Sequence, residues 1–341
     1  MSADVETSGV GSPPAPDQPR SRPFLSTPAG RHTGLVVALL LLCAIGMITA
    51  PDRFGSTANA TNILSVAAVA GVLSIGQTFV IIGGGIDLSI GSVVGLCSVW
   101  CTTVATQNVA ASSTWWFMVF VALLVGTIAG LVNGLLIAYG PIVPFIMTLA
   151  TMTGAKGLAE VISGKKTQVV QDPSLQQFFN GHVLGVSSQV IVFALIAVVA
   201  FILLNRTTFG RRTYAVGGNA EAARLAGISV RRHSVLLYVL MGFCAGLAAV
   251  LVTARTTAGS SNLGIGYELD AIAAVVIGGT LLTGGRGTIV GTVIGVLIFS
   301  TLNNVFTLNN LDTSTQAVAK GAIIVIAVLL QQRVARSELK T

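Results

Sequence analysis

The sequence predicts an all-α integral membrane protein with about ten membrane-spanning helices. Hydrophobic residues make up 53% of the chain and charged residues only 9%, and the mean hydropathy is +0.84. A soluble domain carries about a quarter charged residues, so this chain has too few of them to cover a water-facing surface. Its apolar runs are continuous and do not alternate with polar residues, which argues against a lipid-facing β-barrel.

Ten apolar runs have about the length that a membrane helix requires, roughly 17 to 25 residues. They lie at 34–50, 62–83, 90–107, 115–138, 142–162, 188–204, 234–252, 268–283, 288–305 and 315–331. Gly-rich breaks, rather than loops, separate the second run from the third and the eighth from the ninth.

Both ends of the chain differ from the apolar middle. The first 32 residues hold six of the ten prolines. Such a segment buries too little apolar surface to fold, and we interpret 1–32 as a disordered cytoplasmic tail. No short apolar run with a cleavage site precedes it, so we predict no removed signal peptide. Residues 33–332 then form the membrane domain, and 333–341 form a cytoplasmic C-terminal tail.

Basic residues fall mostly on one side of these spans. With both termini in the cytoplasm, thirteen Lys and Arg residues lie in inner segments and four in outer segments. Cytoplasmic segments of membrane proteins carry such an excess, so both termini are predicted to be cytoplasmic. The same placement accounts for the net charge of +7 without a nucleic-acid-binding surface.

An internal repeat relates the fourth predicted span to the ninth. Residues 126–137 read GTIAGLVNGLLI and residues 287–298 read GTIVGTVIGVLI, with eight of the twelve positions identical. These spans cross the membrane in opposite directions, so the repeat has the inverted topology of many transporters. Chance similarity between Gly-rich helices is the alternative. Glycines at four-residue intervals predict two close-packing helix faces: Gly126, Gly130 and Gly134, and Gly287, Gly291 and Gly295.

The segment GGGIDLSIG at 83–91 is the most distinctive local feature. Three glycines break the second predicted span, and a new apolar run begins at Ile90. Asp87 or Ser89 is predicted to cap the helix that follows by accepting its free N–H groups. Alternatively, Asp87 lines a path for a polar solute, as ionisable groups within membranes often do. The two roles are compatible.

Few other charges lie in the apolar runs. Lys156 and Glu160 stand four residues apart and are predicted to neutralise each other near the outer surface, a proton or ion site being the alternative. Arg255, Glu268 and Asp270 could pair in the same way. We find no His, Cys or acidic set at metal-ligand spacing, and no acid–base set for catalysis, so neither a metal site nor an enzyme is predicted.

The cytoplasmic segment 205–233 contains a short predicted helix with its own start and stop signals. Asn219 suits the N-cap, Glu221 the first turn and Gly227 the C-terminal stop. Two turns of helix outside the membrane have little to stabilise them alone, so this helix is predicted to dock on a partner. The alternative is an amphipathic linker held on lipid headgroups by the flanking arginines.

Five segments together resemble the ribose-type carbohydrate permeases of bacterial ATP-binding-cassette (ABC) importers, from about residue 34 to residue 331. They are GGGIDLSIG (83–91), LVNGLLIA (131–138), PFIMTLATM (144–152), FGRRTYAVGGNAEAARLAGI (209–228) and YELDAIAAVVIGGTLLTGGRGTIVGT (267–292). The string Glu221-Ala222-Ala223, followed by Gly227, resembles the EAA loop of ABC permeases, in which a short cytoplasmic helix fits a groove of the ATPase. The Ile and Leu-Pro that usually follow are absent.

The resemblance implies a bacterial cytoplasmic-membrane importer in which a soluble binding protein captures sugar outside and docks on two permease copies. A partner ATPase would hold ATP and Mg²⁺, because no GxxxxGK[S/T] phosphate loop occurs in this sequence. Residues that would take part in coupling to the ATPase are Asn219, Glu221, Ala222, Ala223, Arg224 and Gly227.

A pathway for a neutral sugar requires hydrogen-bonding groups within the spans. Candidates are Asp87, Ser89, Gln77, Asn133, Thr148, Thr151, Asn303, Asn304 and Gln316; the alternative for each is hydrogen bonding between helices. Which sugar is carried stays open, and nucleosides are an alternative class of substrate. A self-contained secondary transporter or channel remains the competing class of function.

Overall fold

Helices account for most of the structure. The computed structural model describes residues 28–338, with side-chain environments for residues 32–329. Its helices are α1 (Pro28–Thr49), α2 (Pro51–Phe54), α3 (Thr57–Ile82), α4 (Ile90–Cys101), α5 (Val104–Ser112), α6 (Trp116–Tyr139), α7 (Pro144–Ser163), α8 (Pro173–Asn180), α9 (Ser188–Arg206), α10 (Thr208–Gly218), α11 (Ala220–Leu225), α12 (Val230–Thr256), α13 (Tyr267–Ile277), α14 (Ile289–Leu308) and α15 (Thr313–Glu338). The predicted all-α membrane class is confirmed.

Two small antiparallel pairs of strands join loops at one end of the helices. Strand β1 (Gln168–Val169) pairs with β4 (Ala258–Gly259), and β2 (His182–Val183) pairs with β3 (Val186–Ser187). The β1–β4 pair ties the loop after α7 to the loop after α12.

Helix length supports seven or eight membrane spans in the described chain. The helices long and apolar enough to cross are α1, α3, α6, α7, α9, α12 and α14. The pair α4 and α5, bent by 55°, supplies an eighth candidate. Helix α13 has only 11 residues, and the apolar part of α15 runs over Thr313–Leu329. Since a perpendicular crossing takes about 20 residues, the count of ten stays a prediction.

The predicted third span, 90–107, is wrong as a single helix. It stops at Cys101 and restarts at Val104, because two threonines compete for helix hydrogen bonds. The hydroxyl of Thr102 donates to the carbonyl of Ser98 at 2.7 Å. The hydroxyl of Thr103 accepts from the N–H of Thr106 at 3.3 Å and so caps α5.

The predicted eighth span, 268–283, is too long. Helix α13 ends at Ile277, and Gly279 adopts a φ of 89°. The N–H of Gly279 donates to the carbonyl of Val276 at 2.9 Å, and the N–H of Thr280 to that of Val275 at 3.2 Å. This is a Schellman motif, a left-handed turn that closes a helix.

The predicted tails coincide only partly with the described residues. Helix α1 begins at Pro28, so the prediction of disorder is wrong for 28–32, where proline suits the first turn of a helix. Helix α15 continues to Glu338, past the predicted boundary at residue 332. Residues 1–27 and 339–341 lie outside the described part of the chain, and the prediction there stays untested.

Helix α12 is the centre of the bundle. It is largely buried and packs against α3, α4 and α6. Where it meets α6 the two backbones touch: a Cβ at Gly130 would lie 2.1 Å from the carbonyl oxygen of Tyr238, and one at Gly126 would lie 2.3 Å from that of Gly242. Small residues of this kind allow helices to approach closely in lipid.

The second predicted set of glycines, Gly287, Gly291 and Gly295, does not face α12. Gly291 and Gly295 of α14 face α13, where a Cβ on each would lie 2.1 Å from the carbonyl oxygens of Gly278 and Ala274 respectively. Gly287 precedes the start of α14 at Ile289 and faces Thr280. It therefore does not belong to a helical face, and that part of the packing prediction is wrong.

Candidate functional site

The Gly-rich segment after α3 forms a sharp, ordered break. The N–H of Gly85 donates to the carbonyl of Val80 at 2.9 Å, and Gly84, with a φ of 86°, donates to Ile81 at 2.9 Å. Helix α3 thus ends in a second Schellman motif. Residues 85–89 then run without helical structure to α4, inside the bundle, where irregular backbone must be satisfied by protein or water.

Four polar side chains meet at this break. Oδ1 of Asp87 accepts hydrogen bonds from the N–H and the hydroxyl of Ser89, at 2.8 and 2.6 Å. Nδ2 of Asn133, on α6, donates to Oγ of Ser89 at 3.0 Å. The hydroxyl of Thr151, on α7, donates to Oδ1 of Asn133. The chain Asp87–Ser89–Asn133–Thr151, called here the polar clamp, links the break to α6 and α7.

The predicted capping role at this break is wrong. Ser89 occupies the N-cap position of α4, but its side chain accepts no N–H group from the first turn. Asp87 bonds to Ser89 instead of to helical N–H groups. The sequence distance is the reason: Asp87 lies two residues before the N-cap, where its carboxylate closes a local turn.

Three members of the polar clamp are buried. Asp87 is 2% exposed, and Ser89 and Asn133 are each 1% exposed. Small gaps beside them, lined by Gly130, Met241 and other residues of α6 and α12, are too narrow for a water molecule. The arrangement therefore holds three helices together in this conformation and leaves no room for a sugar beside Asp87.

Tyr238 of α12 also reaches the break, a contact that sequence reasoning missed. Its hydroxyl lies 3.5 Å from the carbonyl oxygen of Ile86, and a Cβ at Gly85 would lie 2.5 Å from the same hydroxyl. The contact joins residues 152 positions apart in the chain. A lone tyrosine in an apolar span carries no signal for a main-chain partner so distant.

The remaining pathway candidates are dispersed. Gln77 of α3 is fully buried, and neither polar atom of its side chain has a hydrogen-bond partner in the described structure. The hydroxyl of Thr148 donates within its own helix to Phe145 at 3.3 Å. Asn304 exchanges two hydrogen bonds with Asn59, at 2.7 and 3.1 Å. Asn303 is half-buried, and Gln316 donates to the carbonyl of Leu311 at 2.9 Å.

The predicted pairing of Lys156 with Glu160 and the pairing considered for Arg255 do not form. Among the described residues no ion pair links Lys156 to Glu160. Arg255 donates to Asn62 at 3.2 Å instead of to Glu268 or Asp270. Asp270, on α13, pairs with Lys320 of α15 at 3.3 Å. Sequence spacing could not show this pair, because the two groups lie 50 residues apart on helices whose packing decides the contact.

The predicted short helix in 205–233 is present as α11. Oδ1 of Asn219 accepts the N–H of Ala222 at 3.0 Å, so the predicted N-cap is confirmed. The predicted stop is confirmed as well: Gly227 has a φ of 82°, and the N–H of Ile228 donates to the carbonyl of Ala223 at 3.0 Å. This is again a Schellman motif.

The solvent-facing side of α11 is not covered by any other part of the described chain. Glu221 and Arg224 form an ion pair whose side chains are both about two-thirds exposed, and Leu225 is 81% exposed. Ala223 is buried against the rest of the protein. An exposed leucine beside a paired acid and base on a capped helix is suited to contact with another protein.

A bundle of long apolar helices with a broken, polar interior and an exposed helix outside the spans defines a multi-pass membrane permease. The chain belongs to the family described as the permease component of the branched-chain amino acid transport system, whose model matches residues 59–328.

Individual relatives match over most of their length. The ribose import permease protein of Bacillus subtilis is 42% identical over 306 residues, 88% of this chain and 92% of the relative. The galactose/methyl galactoside import permease protein of Escherichia coli is 36% identical, covering 88% and 94%. The galactofuranose transporter permease protein of E. coli is 37% identical, covering 92% and 94%. No solved structure matches the chain.

Proposed function

We propose that this chain is the membrane-spanning permease subunit of an ATP-driven importer that carries a ribose-type monosaccharide, or a related polyol, across the cytoplasmic membrane of a bacterium. The observation that carries the proposal is the 42% identity to a ribose import permease across 88% of the chain. Relatives named for galactose and galactofuranose match over a similar length. They support the class of substrate without selecting one sugar.

The energy for transport comes from a partner. The chain has no phosphate loop of the GxxxxGK[S/T] type, so ATP and Mg²⁺ are bound by a cytoplasmic ATPase and this chain is a transport subunit, not an enzyme. Helix α11 is the proposed docking element, with Glu221, Arg224 and the exposed Leu225 at the contact. Its caps support this role, because they hold two turns of helix ready outside the spans.

The proposed topology has ten membrane segments, both termini in the cytoplasm and an inverted repeat. The bent pair α4–α5, the short helix α13 and helix α15 would add three segments to the seven long helices. The structure groups α10, the break at 83–89 and the break at 278–288 at one end of the bundle. The charge bias assigns all three to the cytoplasmic side, which supports this orientation.

Two further partners complete the proposal. An extracytoplasmic binding protein would deliver the sugar. A second permease copy would supply the other half of the pathway. Long apolar side chains exposed on α6, α7 and α9 leave surface for lipid and for that copy.

The proposal is tested by purifying the tagged chain from its native membrane in mild detergent. We expect an ATPase with phosphate-loop motifs to co-purify in stoichiometric amount. The complex, placed in proteoliposomes with its binding protein, should take up labelled sugar only when ATP is present. Ribose, galactose, allose and leucine serve as competitors, since the family description names amino acid transport. Uptake driven by an ion gradient without any ATPase would refute the proposal in favour of a secondary transporter.

A further inference from the structure

Three glycine-containing segments from distant parts of the chain meet at one point. They are the start of the first break (83–85), the end of α10 (217–218) and the middle of the second break (284–285). We call this meeting point the glycine junction. It lies directly before Asn219, the N-cap of α11.

The junction consists of backbone against backbone. The N–H of Gly285 donates to the carbonyl of Ile82 at 2.8 Å, so the second break is bonded to the end of α3. A Cβ at Gly217 would lie 1.7 Å from the same carbonyl oxygen, and one at Gly285 would lie 2.8 Å from Cα of Gly218. At such distances no flexible side chain can absorb a shift, so a movement of the end of α10 has to move both breaks.

The side chain of Tyr214 is a second connection between α10 and the second break. Tyr214 lies one turn before Gly217 on α10, and its hydroxyl donates to the carbonyl oxygen of Gly287 at 2.8 Å. The ring is half-buried. Helix α10 is therefore held to the second break by the hydroxyl of Tyr214 and to the first break through Gly217.

The two breaks lead to different parts of the bundle. Five residues beyond Ile82 the first break reaches Asp87 and the polar clamp, and from there α6 and α7. The second break connects α13, which is ion-paired to α15, with the start of α14. A displacement of α10 would thus reach five helices through two short segments.

We propose that the glycine junction and Tyr214 transmit the movement of α11 to both membrane breaks, and that Tyr214 is a positioning residue for coupling. The inference rests on the proposed function, in which α11 carries the force of the ATPase. Glycine is required at 217 and 285 because any side chain would separate the segments that must move together. Tyr214 adds a contact that can be removed without disturbing the backbone.

The test compares sugar uptake and ATP hydrolysis in the same proteoliposomes. Tyr214→Phe keeps the ring and removes the hydroxyl. We expect sugar imported per ATP hydrolysed to fall about two- to tenfold, the range of one lost hydrogen bond, while ATPase co-purification is unchanged. Gly217→Ala should uncouple more strongly or prevent assembly, so Tyr214→Phe is the decisive variant.

Thr213→Val is the matched control. The Thr213 hydroxyl is hydrogen-bonded to Nε2 of His233, on α12, at 2.9 Å and donates to the carbonyl of Phe209, within α10, at 3.0 Å. This variant therefore removes a buried contact of α10 that is directed at α12 and not at either break. It should leave sugar imported per ATP hydrolysed close to that of wild type. An unchanged ratio in Tyr214→Phe, or an equal loss in both variants, would overturn the inference. Failure of wild type to bind an ATPase or import sugar would instead overturn the proposed function.

Discussion

Substitution of Gly130 by alanine tests whether the α6–α12 contact is as close as its geometry indicates. The added Cβ would lie 2.1 Å from the carbonyl oxygen of Tyr238 and 2.9 Å from its carbonyl carbon. Ordinary contact needs about 3.5 Å, so the two helices have to separate by about 1.4 Å. Both clashing atoms belong to a helix backbone, and neither can rotate away.

The cost of Gly130→Ala has two sources. Overpacking a dense interface costs about 1–3 kcal/mol. A shift of α6 by more than 1 Å also endangers the 3.0 Å hydrogen bond from Asn133 to Ser89, one turn along the same helix, worth about 1 kcal/mol. We expect the free energy of unfolding to fall by about 2–4 kcal/mol, measured by titration from mild detergent into sodium dodecyl sulfate.

Gly157→Ala is the control for helix propensity. A Cβ at Gly157 meets nothing within 4 Å, and alanine favours a helix over glycine by up to about 1 kcal/mol. This variant should be neutral or slightly more stable than wild type. If Gly130→Ala were as stable as Gly157→Ala, the backbone contact between α6 and α12 would not exist at the distance described.

Substitutions at three further positions test other contacts. Ser89→Ala removes the centre of the polar clamp, leaving Asp87 and Asn133 without a shared partner; the same titration should show a loss of about 2–3 kcal/mol, and a loss under 0.5 kcal/mol would contradict the buried network. Asn219→Ala removes the cap of α11 and should lower ATPase co-purification several-fold, whereas Asn219→Asp should restore it because the carboxylate also caps; equal recovery with both variants would exclude a role for the cap. Lys320→Met leaves Asp270 unpaired. It should destabilise the chain by more than the double variant Lys320→Met with Asp270→Asn does, since an uncompensated, partly buried charge is the larger penalty. If the losses of stability from the two substitutions were additive, the two side chains would not be coupled.

Local sequence signals predicted much of this molecule. The long spans and helix α11 depend on apolar runs, an asparagine cap and a glycine stop, each of which acts within a few residues. The N-cap at Asn219, which accepts the N–H of Ala222, and the left-handed Gly227 are therefore at the positions that the sequence indicates. Composition and charge bias were sufficient for the membrane class.

Contacts between distant segments were not predictable in this way. Asp87 was expected to cap a helix, yet its hydroxyl partner Ser89 is shared with Asn133, 44 residues away. The bend after Cys101 comes from hydroxyls that compete with helix hydrogen bonds, and neither glycine nor proline marks it. Pairing of Lys320 with Asp270 depends on the packing of α13 against α15, which single-sequence spacing does not contain.

The glycine contacts between α6 and α12 should keep these two helices at a fixed distance from each other. Where Gly242 meets the carbonyl of Gly126 and Gly246 meets that of Ala122, a Cβ on either glycine would lie within 2.5 Å of the opposing oxygen. Helices interlocked this closely have no room to slide past each other. Spin labels at the ends of this pair should therefore report one constant distance in every nucleotide state, against which motion of the other helices can be measured.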